Sequence, residues 1–481
     1  MNDRVPGDQH GTWSPEMPFS KARGARHTAA TAPPRRPYSF DVEPDTDPGD
    51  VATRALDAAE AASPVAAVEA VTYELGVALG ATTVSFLIAD LSGRALVRLA
   101  HVRVATVVEE STHTRQVSER ERRRGEESAT VLPFDGGPCE QAVRTQTVQV
   151  LRPGRALDES GTPGQWRVLA PVTERGEVIG LLEFLTPGEP QPHRVGEIAR
   201  LAHVLAFVVI ANRRHSDLFE WGQRTRPLSL SAEIQHRLLP GPQACEAGAF
   251  TLAGWLEPAV AIAGDTYDFS LARDVLHLSL TDAMGHGVGA ALTATLCVGS
   301  LRNARNDGAS LLEQVAAANT ALSEHAAARP SEDFATGLIG RLDLITGSLE
   351  LVNAGHVAPY LARGGELREV PLPVDIPLGL FASTTYRRSR LPLTPGDRIV
   401  LVTDGMLDRN AVGLDLPASI KDTRSLHPRE AVRALADRVL DATQRNLSDD
   451  ATVMCLDWHG EHGRDRASRH GADPGLASRR L

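Results

Sequence analysis

The chain has 481 residues, too many for one ordinary domain, so two or three are expected. Its 42% hydrophobic and 23% charged residues exclude a wholly disordered chain, a collagen and a coiled-coil rod. The net charge of −11, from 50 basic and 61 acidic side chains, argues against a dedicated nucleic-acid binder, which carries a basic surplus.

The four cysteines, Cys139, Cys245, Cys297 and Cys455, form no CxxC pair. A zinc ribbon or disulfide scaffold is therefore not expected. The N-terminal stretch lacks the apolar core of a secretory signal. The longest apolar run, residues 201–211, is shorter than the roughly 20 residues a bilayer crossing takes. The expectation is a soluble cytoplasmic protein with no membrane and no nucleic-acid partner.

Residues 1–52 are rich in proline and carry a basic and then an acidic stretch, which predicts a disordered tail. Residues 65–79 have helical apolar spacing, and 83–89 and 95–100 read as strands around a Ser92-Gly93 turn. The charge run at 118–127 reads as a solvated face. Residues 167–172 and 178–184 read as strands joined by a polar turn, with an apolar helix over 195–212. This order, and above all LAPVTERGEVIGLLEF (169–184) with its closing helix, resembles a GAF domain over 53–213. The resemblance implies a sheet with helices that binds a small molecule or protein signal, or dimerises. Cys139 reads as an idle thiol rather than a chromophore or redox group.

Residues 214–243 read as a helical linker or switch. It includes an amphipathic helix stopped by Pro240, and Pro227 should break any continuous helix before it. From 244 to 458 strands alternate with Asp-rich turns. Strands are predicted at 275–281, 336–344, 348–353, 398–403 and 451–456. Helices are predicted at 292–303, 311–327 and 428–444. Residues 459–481 are polar and read as a second tail.

Four acidic positions share one setting, a short apolar strand beside a tight turn: Asp265, Asp282, Asp404 and the pair Asp449-Asp450. Carboxylates gathered in a partly desolvated cleft repel one another, and divalent cations would cancel that charge. Oxygen-only ligation selects Mg²⁺, Mn²⁺ or Ca²⁺ over zinc. Each motif alone is weak, since Asp-Gly is a common turn signal.

The series QHRLLP (235–240), AGDTYD (263–268), DAMGHG (282–287), ATGLIGRLD (335–343), VNAGH (352–356), PLG (377–379), PGDRIVLVTDG (395–405) and DDAT (449–452) is specific in its order. Over 231–457 it resembles the PPM (2C-type) metal-dependent serine/threonine phosphatases, in their bacterial SpoIIE-like branch. Ala263 departs from the family's usual first glycine.

The resemblance implies an α+β chain: a GAF domain followed by a PPM-type α/β sandwich of two packed β-sheets flanked by helices. It implies two Mn²⁺ or Mg²⁺ ions. Asp282 would bridge them, the Ala283 carbonyl would add a ligand, Asp404 and Asp449 would hold one ion, and Asp265 the other. Asp450 matches the ligand pattern less well than Asp449, and Asp268 is placed just behind the ligands. His286 and His356 read as structural histidines in glycine-rich turns, with hydrogen bonding near phosphate as the alternative.

The implied chemistry is attack on phosphorus by a hydroxide shared by the ions, with no side-chain nucleophile. The implied substrate is phosphoserine or phosphothreonine on a STAS-domain anti-anti-sigma factor. Regulation by the GAF half and homodimerisation are implied as well. Two other readings stand beside this one. One is a signalling scaffold with an inactive phosphatase fold. The other is an ATP-binding anti-sigma-type kinase, to which DAMGHG bears a looser likeness, off by one residue in spacing.

Overall fold

Side-chain alternation in the C-terminal half separates two apolar layers on its central strands. In the strand over Ala451–Trp458, Met454, Leu456 and Trp458 face one cluster, and Ala451, Val453 and Cys455 face another. The strand over Arg398–Val402 divides likewise, with Ile399 and Leu401 against Val400 and Val402. A strand apolar on both faces must be covered on both, so these strands belong to inner layers. The computed structural model describes residues 48–104, 131–153, 164–225, 228–259, 264–328, 333–407, 413–460, 470–473 and 475–478.

Two six-stranded sheets form the C-terminal half. The first contains β9 (Asp265–Leu271), β10 (Val275–Ala283), β11 (Ala335–Asp343), β12 (Ser348–Ala354), β15 (Val374–Asp375) and β16 (Arg388–Pro392). The second contains β7 (Ala244–Glu246), β8 (Phe250–Glu257), β13 (Tyr360–Arg363), β14 (Glu366–Glu369), β17 (Arg398–Val402) and β18 (Ala451–Trp458). Leu278, Leu280, Leu338 and Leu351 of the first sheet meet Phe250, Leu401 and Met454 of the second in one buried cluster. Helices Gly287–Asn306 and Leu311–Ala327 cover the outer face of the first sheet. Helices Leu416–Asp422 and Pro428–Ala442 cover that of the second. This is the four-layer sandwich expected of the C-terminal half.

The N-terminal half is a six-stranded antiparallel sheet in the order β3-β2-β1-β6-β5-β4. Its strands are β1 (Thr83–Ala89), β2 (Ala95–Arg103), β3 (Val131–Pro133), β4 (Gln149–Leu151), β5 (Trp166–Glu174) and β6 (Glu177–Thr186). Helices Pro48–Ala61, Ala67–Leu79 and Pro192–Asn212 pack on one face. A smaller cluster with helix Pro138–Thr145 covers the other. Helix Pro192–Asn212 is long and apolar enough to cross a membrane, extending well beyond the apolar run seen in the sequence. Eight of its residues, among them Leu201, Leu205 and Val209, are buried, the role of a core helix.

Several boundaries differ from expectation. Helix Pro48–Ala61 begins inside the predicted tail, because Val51 and Ala55 bury against the helical face of the sheet. The rest of that tail, the 118–127 charge run, Pro227 and Ala263 lie outside the described residues. The second tail is corrected as well. His470–Asp473 and Gly475–Ser478 are bonded to the body: Gly176 N donates to Gly471 O (2.8 Å), Asp473 N to Glu246 Oε2 (2.9 Å) and His427 N to Ser478 Oγ (3.0 Å). Each of these bonds has a backbone amide as its donor, which leaves no apolar period in the sequence.

The described residues from Pro48 onward form one compact unit by their contacts rather than two separate bodies. Arg94 reaches Asp437 (2.6 Å) and Glu257 (3.0 Å) across the halves. Glu177 Oε2 accepts the Gln243 and Ala244 amides at 3.1 and 2.8 Å. The linker carries helices Leu218–Gln223 and Leu230–Leu238. Ser229 caps the second, accepting from Ala232 N at 3.2 Å, and Pro240 follows its end.

Candidate metal centre

Pairing between β9 and β10 sets Asp265 directly opposite Asp282. In the facing sheet β17 and β18 run antiparallel, with Val402 opposite Val453. Thr403-Asp404 leaves β17, and Asp449-Asp450 leads into β18, at that same end. All four predicted segments thus arrive at one end of the sandwich.

Asp265 is buried, and its Oδ2 accepts both Thr403 Oγ1 (2.7 Å) and Thr452 Oγ1 (2.6 Å). Thr452 N in turn donates to Thr403 Oγ1 (3.0 Å). Asp450 is equally enclosed. Its Oδ1 accepts Ala259 N (2.8 Å), and its Oδ2 accepts Gly264 N (3.1 Å) and Gln235 Nε2 (2.6 Å). Gln235 Nε2 also donates to the Asp265 main-chain oxygen (2.8 Å). Asp449 is half-buried and accepts Asp450 N on Oδ1 (2.8 Å), while Asp404 is exposed at the head of a short 3₁₀ turn, Asp404–Leu407. These placements divide the Asp-Asp pair: Asp450 is occupied by structural donors, and Asp449 is the member nearer solvent.

Two glycines permit the convergence. A Cβ on Gly405 would lie 1.9 Å from the Asp450 carbonyl oxygen, so the chain after Asp404 touches the chain before β18. A Cβ on Gly264 would lie 2.3 Å from the Ala283 carbonyl oxygen, the atom assigned to a cation by resemblance. In DAMGHG, Gly285 and Gly287 have φ of 103° and 68°, which β-carbon-bearing residues rarely adopt.

Charge is the dominant physical feature of this end. Burial, and then the Asp282 and Asp450 carboxylates, hold the Asp265 carboxyl well above the usual range. Burial pushes Asp282 up to about 7, and Asp404, Asp449 and Asp450 add repulsion. Burial also raises Asp450, against the donors that favour its ionised form. Asp282 is therefore the centre of the set, repelled by Asp404, Asp449 and Asp450 and acting in turn on Asp265. The donor set is oxygen only and mutually repulsive, which fits hard divalent cations. Among the described residues no three His, Cys, Asp or Glu side chains close into a finished cage. The carboxylates are a gathered, open set.

The other sequence candidates fall elsewhere. Asp268 is held by Arg302 (2.9 and 3.1 Å) and Arg305 (3.2 Å), which tie β9 to helix Gly287–Asn306. His356 is buried, with Nδ1 2.8 Å from Thr336 Oγ1, and its backbone amide donates to Asn353 Oδ1 (2.7 Å). It is a structural histidine. His286 is exposed at the N-cap of helix Gly287–Asn306 and makes no side-chain cap bond. Thr403, Thr452 and Gln235 were missed as site residues. Their only sequence signal was adjacency to the Asp-Gly, Asp-Asp and QHRLLP motifs.

Residues 272–459 match the family model described as Stage II sporulation protein E (SpoIIE). Phosphoserine phosphatase RsbP of Bacillus subtilis is 22% identical over 241 residues, 48% of this chain and 58% of that protein. Phosphoserine phosphatase RsbU of the same organism is 23% identical over 239 residues, 48% of this chain and 69% of that protein. Protein IcfG of Synechocystis is 25% identical over 177 residues, 32% of this chain and 28% of that protein. The chain thus spans between about a quarter and about two thirds of these relatives' lengths. Among solved structures, the SiaA-PP2C domain of Pseudomonas aeruginosa overlays with a TM-score of 0.39 at 21% identity. That overlay covers 47% of this chain and 93% of the domain.

Proposed function

We propose that this chain is a divalent-metal-dependent phosphatase acting on phosphoserine or phosphothreonine in a protein. The observation that carries the reading is the convergence of Asp265, Asp282, Asp404 and Asp449 from four segments at one end of the sandwich. The SpoIIE match over the segment holding three of them supports it.

Asp282, Asp404 and Asp449, with the Ala283 carbonyl, would hold the cations. Asp265 would hold the second cation, its Oδ2 oriented by two threonine hydroxyls. Bound Mn²⁺ or Mg²⁺ supplies Lewis acidity toward water and the phosphoryl oxygens. In the reaction, a water oxygen attacks phosphorus in line, the P–O bond to the seryl or threonyl oxygen breaks, and that oxygen takes up a proton. The chain's contribution is placement. The β9–β10 pair and the β17–β18 pair fix the carboxylates rigidly, and Thr403, Thr452 and Gln235 keep Asp265 and Asp450 from rotating.

The finer reading takes the substrate as a phosphorylated STAS-domain anti-anti-sigma factor. It takes the N-terminal half as a GAF-type sensor, the assembly as a homodimer and the compartment as cytoplasmic. The RsbP and RsbU similarities support the first. The six-stranded sheet flanked by helices supports the second, and a sequence of four cysteines with no CxxC pair fits a reducing compartment. The alternative is a catalytically inactive phosphatase-fold signalling scaffold, and the aspartates kept at all four metal-site positions argue against it.

Hydrolysis of a phosphoserine peptide by the full chain, with and without Mn²⁺, tests the activity. The native chain should turn over only with metal, and Asp282→Asn and Asp404→Asn should each lose at least about 1,000-fold. Metal-independent turnover, or variants as active as native, would overturn the reading. A silent native chain whose melting temperature ignores Mn²⁺ would establish the scaffold.

A further inference from the structure

A cavity of about 130 Å³ lies where the N-terminal sheet, the linker and the catalytic half meet. Its walls include Ile88 and Ile179 from the sheet, His236 and Leu239 from the linker, and Trp255 and Arg433 from the catalytic half. It is separate from the acidic end of the sandwich and shares Phe134, Val143 and Val178 with the small cluster around Cys139.

Arg433 is the unusual wall. Its guanidinium carbon lies 5.5 Å from the Phe134 ring centroid and 5.7 Å from that of Trp255. Gly93 packs on its head group, where a Cβ would meet Nε at 3.0 Å. No carboxylate among the described residues comes within ion-pair distance of it. Its neighbour Arg429, by contrast, is paired with Glu430 at 2.9 Å. A guanidinium stays charged at any physiological pH; burial disfavours this one's charge, while Glu430 and Asp437 on the same helix favour it without touching it. Two aromatic faces compensate it only in part, since a cation–π contact is worth about 0.5–2 kcal/mol. Two carboxylates also line the cavity, and both are held by other donors: Glu177 by the Gln243 and Ala244 amides, and Asp90 by the Arg94 and Ala95 amides and the Ser92 and Thr225 hydroxyls.

We infer that this cavity binds a small organic anion, its carboxylate or similar group on Arg433 and its apolar body against Ile88, Ile179 and Trp255. The volume is close to the roughly 150 Å³ of an apolar cavity that accepts benzene. The class is therefore a monoanion of about one ring or a short chain. Such an occupant touches all three parts of the molecule. It lies beside His236, the neighbour of the glutamine that holds Asp450 and Asp265. Its effect on turnover rests on the phosphatase reading, but its binding does not.

The test uses benzoate, benzyl alcohol as a neutral counterpart, and the full chain at constant ionic strength. Tryptophan emission and melting temperature are the readouts, since Trp255 lines the site. Benzoate should shift both saturably, with at least about tenfold preference over benzyl alcohol, the size of a charge-assisted hydrogen bond. Arg433→Met should abolish the preference while circular dichroism stays native. Trp255→Phe should remove the emission change and keep the thermal shift. No saturable response, no preference for the anion in the native chain, or an unchanged preference in Arg433→Met would each overturn the inference. Should Arg433→Met not fold, the native chain's benzoate-to-alcohol ratio decides it alone. Loss of the ratio sinks this site and leaves the phosphatase assay untouched.

Discussion

Gln235 Nε2 lies 2.6 Å from Asp450 Oδ2 and, through its second N–H, 2.8 Å from the Asp265 carbonyl oxygen. One amide thus joins the linker helix to β9 and to the residue that leads into β18, two of the four segments at the acidic end. A hydrogen bond to a buried charged group is worth about 1.5–3 kcal/mol. If that energy holds the ligands in place, Gln235→Leu should cut metal-dependent turnover by about 10–100-fold with little change in fold. Gln235→Glu should do worse, because it sets a like charge against Asp450. Steady-state kinetics across a Mn²⁺ titration check this. Native rates in both variants would mean that the helix merely packs there.

Stability and function oppose each other at Asp282. Its folded-state pKa of about 7 lies above its unfolded value near 4, so it binds a proton more readily when folded. The associated stability is fully present below the unfolded value and is lost as pH rises through about 7. At neutral pH the ionised group therefore costs the metal-free protein stability. Asp282→Asn should raise the metal-free melting temperature, reflecting a gain in stability of the order of 1–2 kcal/mol after allowance for partial exposure. The same change should erase the stabilisation that Mn²⁺ gives the native chain. Thermal denaturation with and without Mn²⁺ reads both, and a lower metal-free melting temperature in the variant would contradict the charge argument.

Legibility in the sequence followed physical periodicity. Strands with one wet face or firm turn signals, such as Ala335–Asp343 and Ser348–Ala354, and the capped helix Leu311–Ala327 lie within a residue of expectation. Phe250–Glu257 was missed because its first six residues are buried, so no alternation marks it. The carboxylates were visible as Asp-Gly and Asp-Asp turns. Their supports were not, because Thr403, Thr452 and Gln235 are ordinary residues until folding brings them to Asp265 and Asp450. The C-terminal segment held by Gly176 and His427 was unreadable for a related reason: polar backbone contacts have no sequence period.

The close approach at Gly264 makes a sharp variant. Its missing side chain leaves room for the Ala283 carbonyl, so Gly264→Ala must push that oxygen aside from a distance of 2.3 Å. Gly264 N also donates to Asp450. The alanine variant should lose at least about 100-fold in activity, since misplacement by about 1 Å costs that much. It should also need markedly more Mn²⁺ for half-activation. Kinetics beside a Mn²⁺ thermal titration test this, and a normal metal requirement would remove the Ala283 carbonyl from the ligand set.

Acid should find the molecule's weak point at His356, far in sequence from any carboxylate assigned to metal. Burial pulls its pKa down from 6.5 to about 4. Between those values the unfolded chain takes up a proton at this residue and the native chain does not. Stability is then fully present above 6.5 and falls as pH drops toward 4. At 1.36 kcal/mol per unit the loss is about 3 kcal/mol across that window. His356→Gln cannot titrate and should flatten that part of the slope, although it starts less stable for want of the Thr336 contact. Other buried histidines, His427 among them, titrate in the same direction in both proteins and cancel in the difference. Urea denaturation at pH 7, 6 and 5 gives the two slopes. Parallel slopes would show that His356 accepts its proton without unfolding and that the buried Thr336–His356 contact tolerates charge.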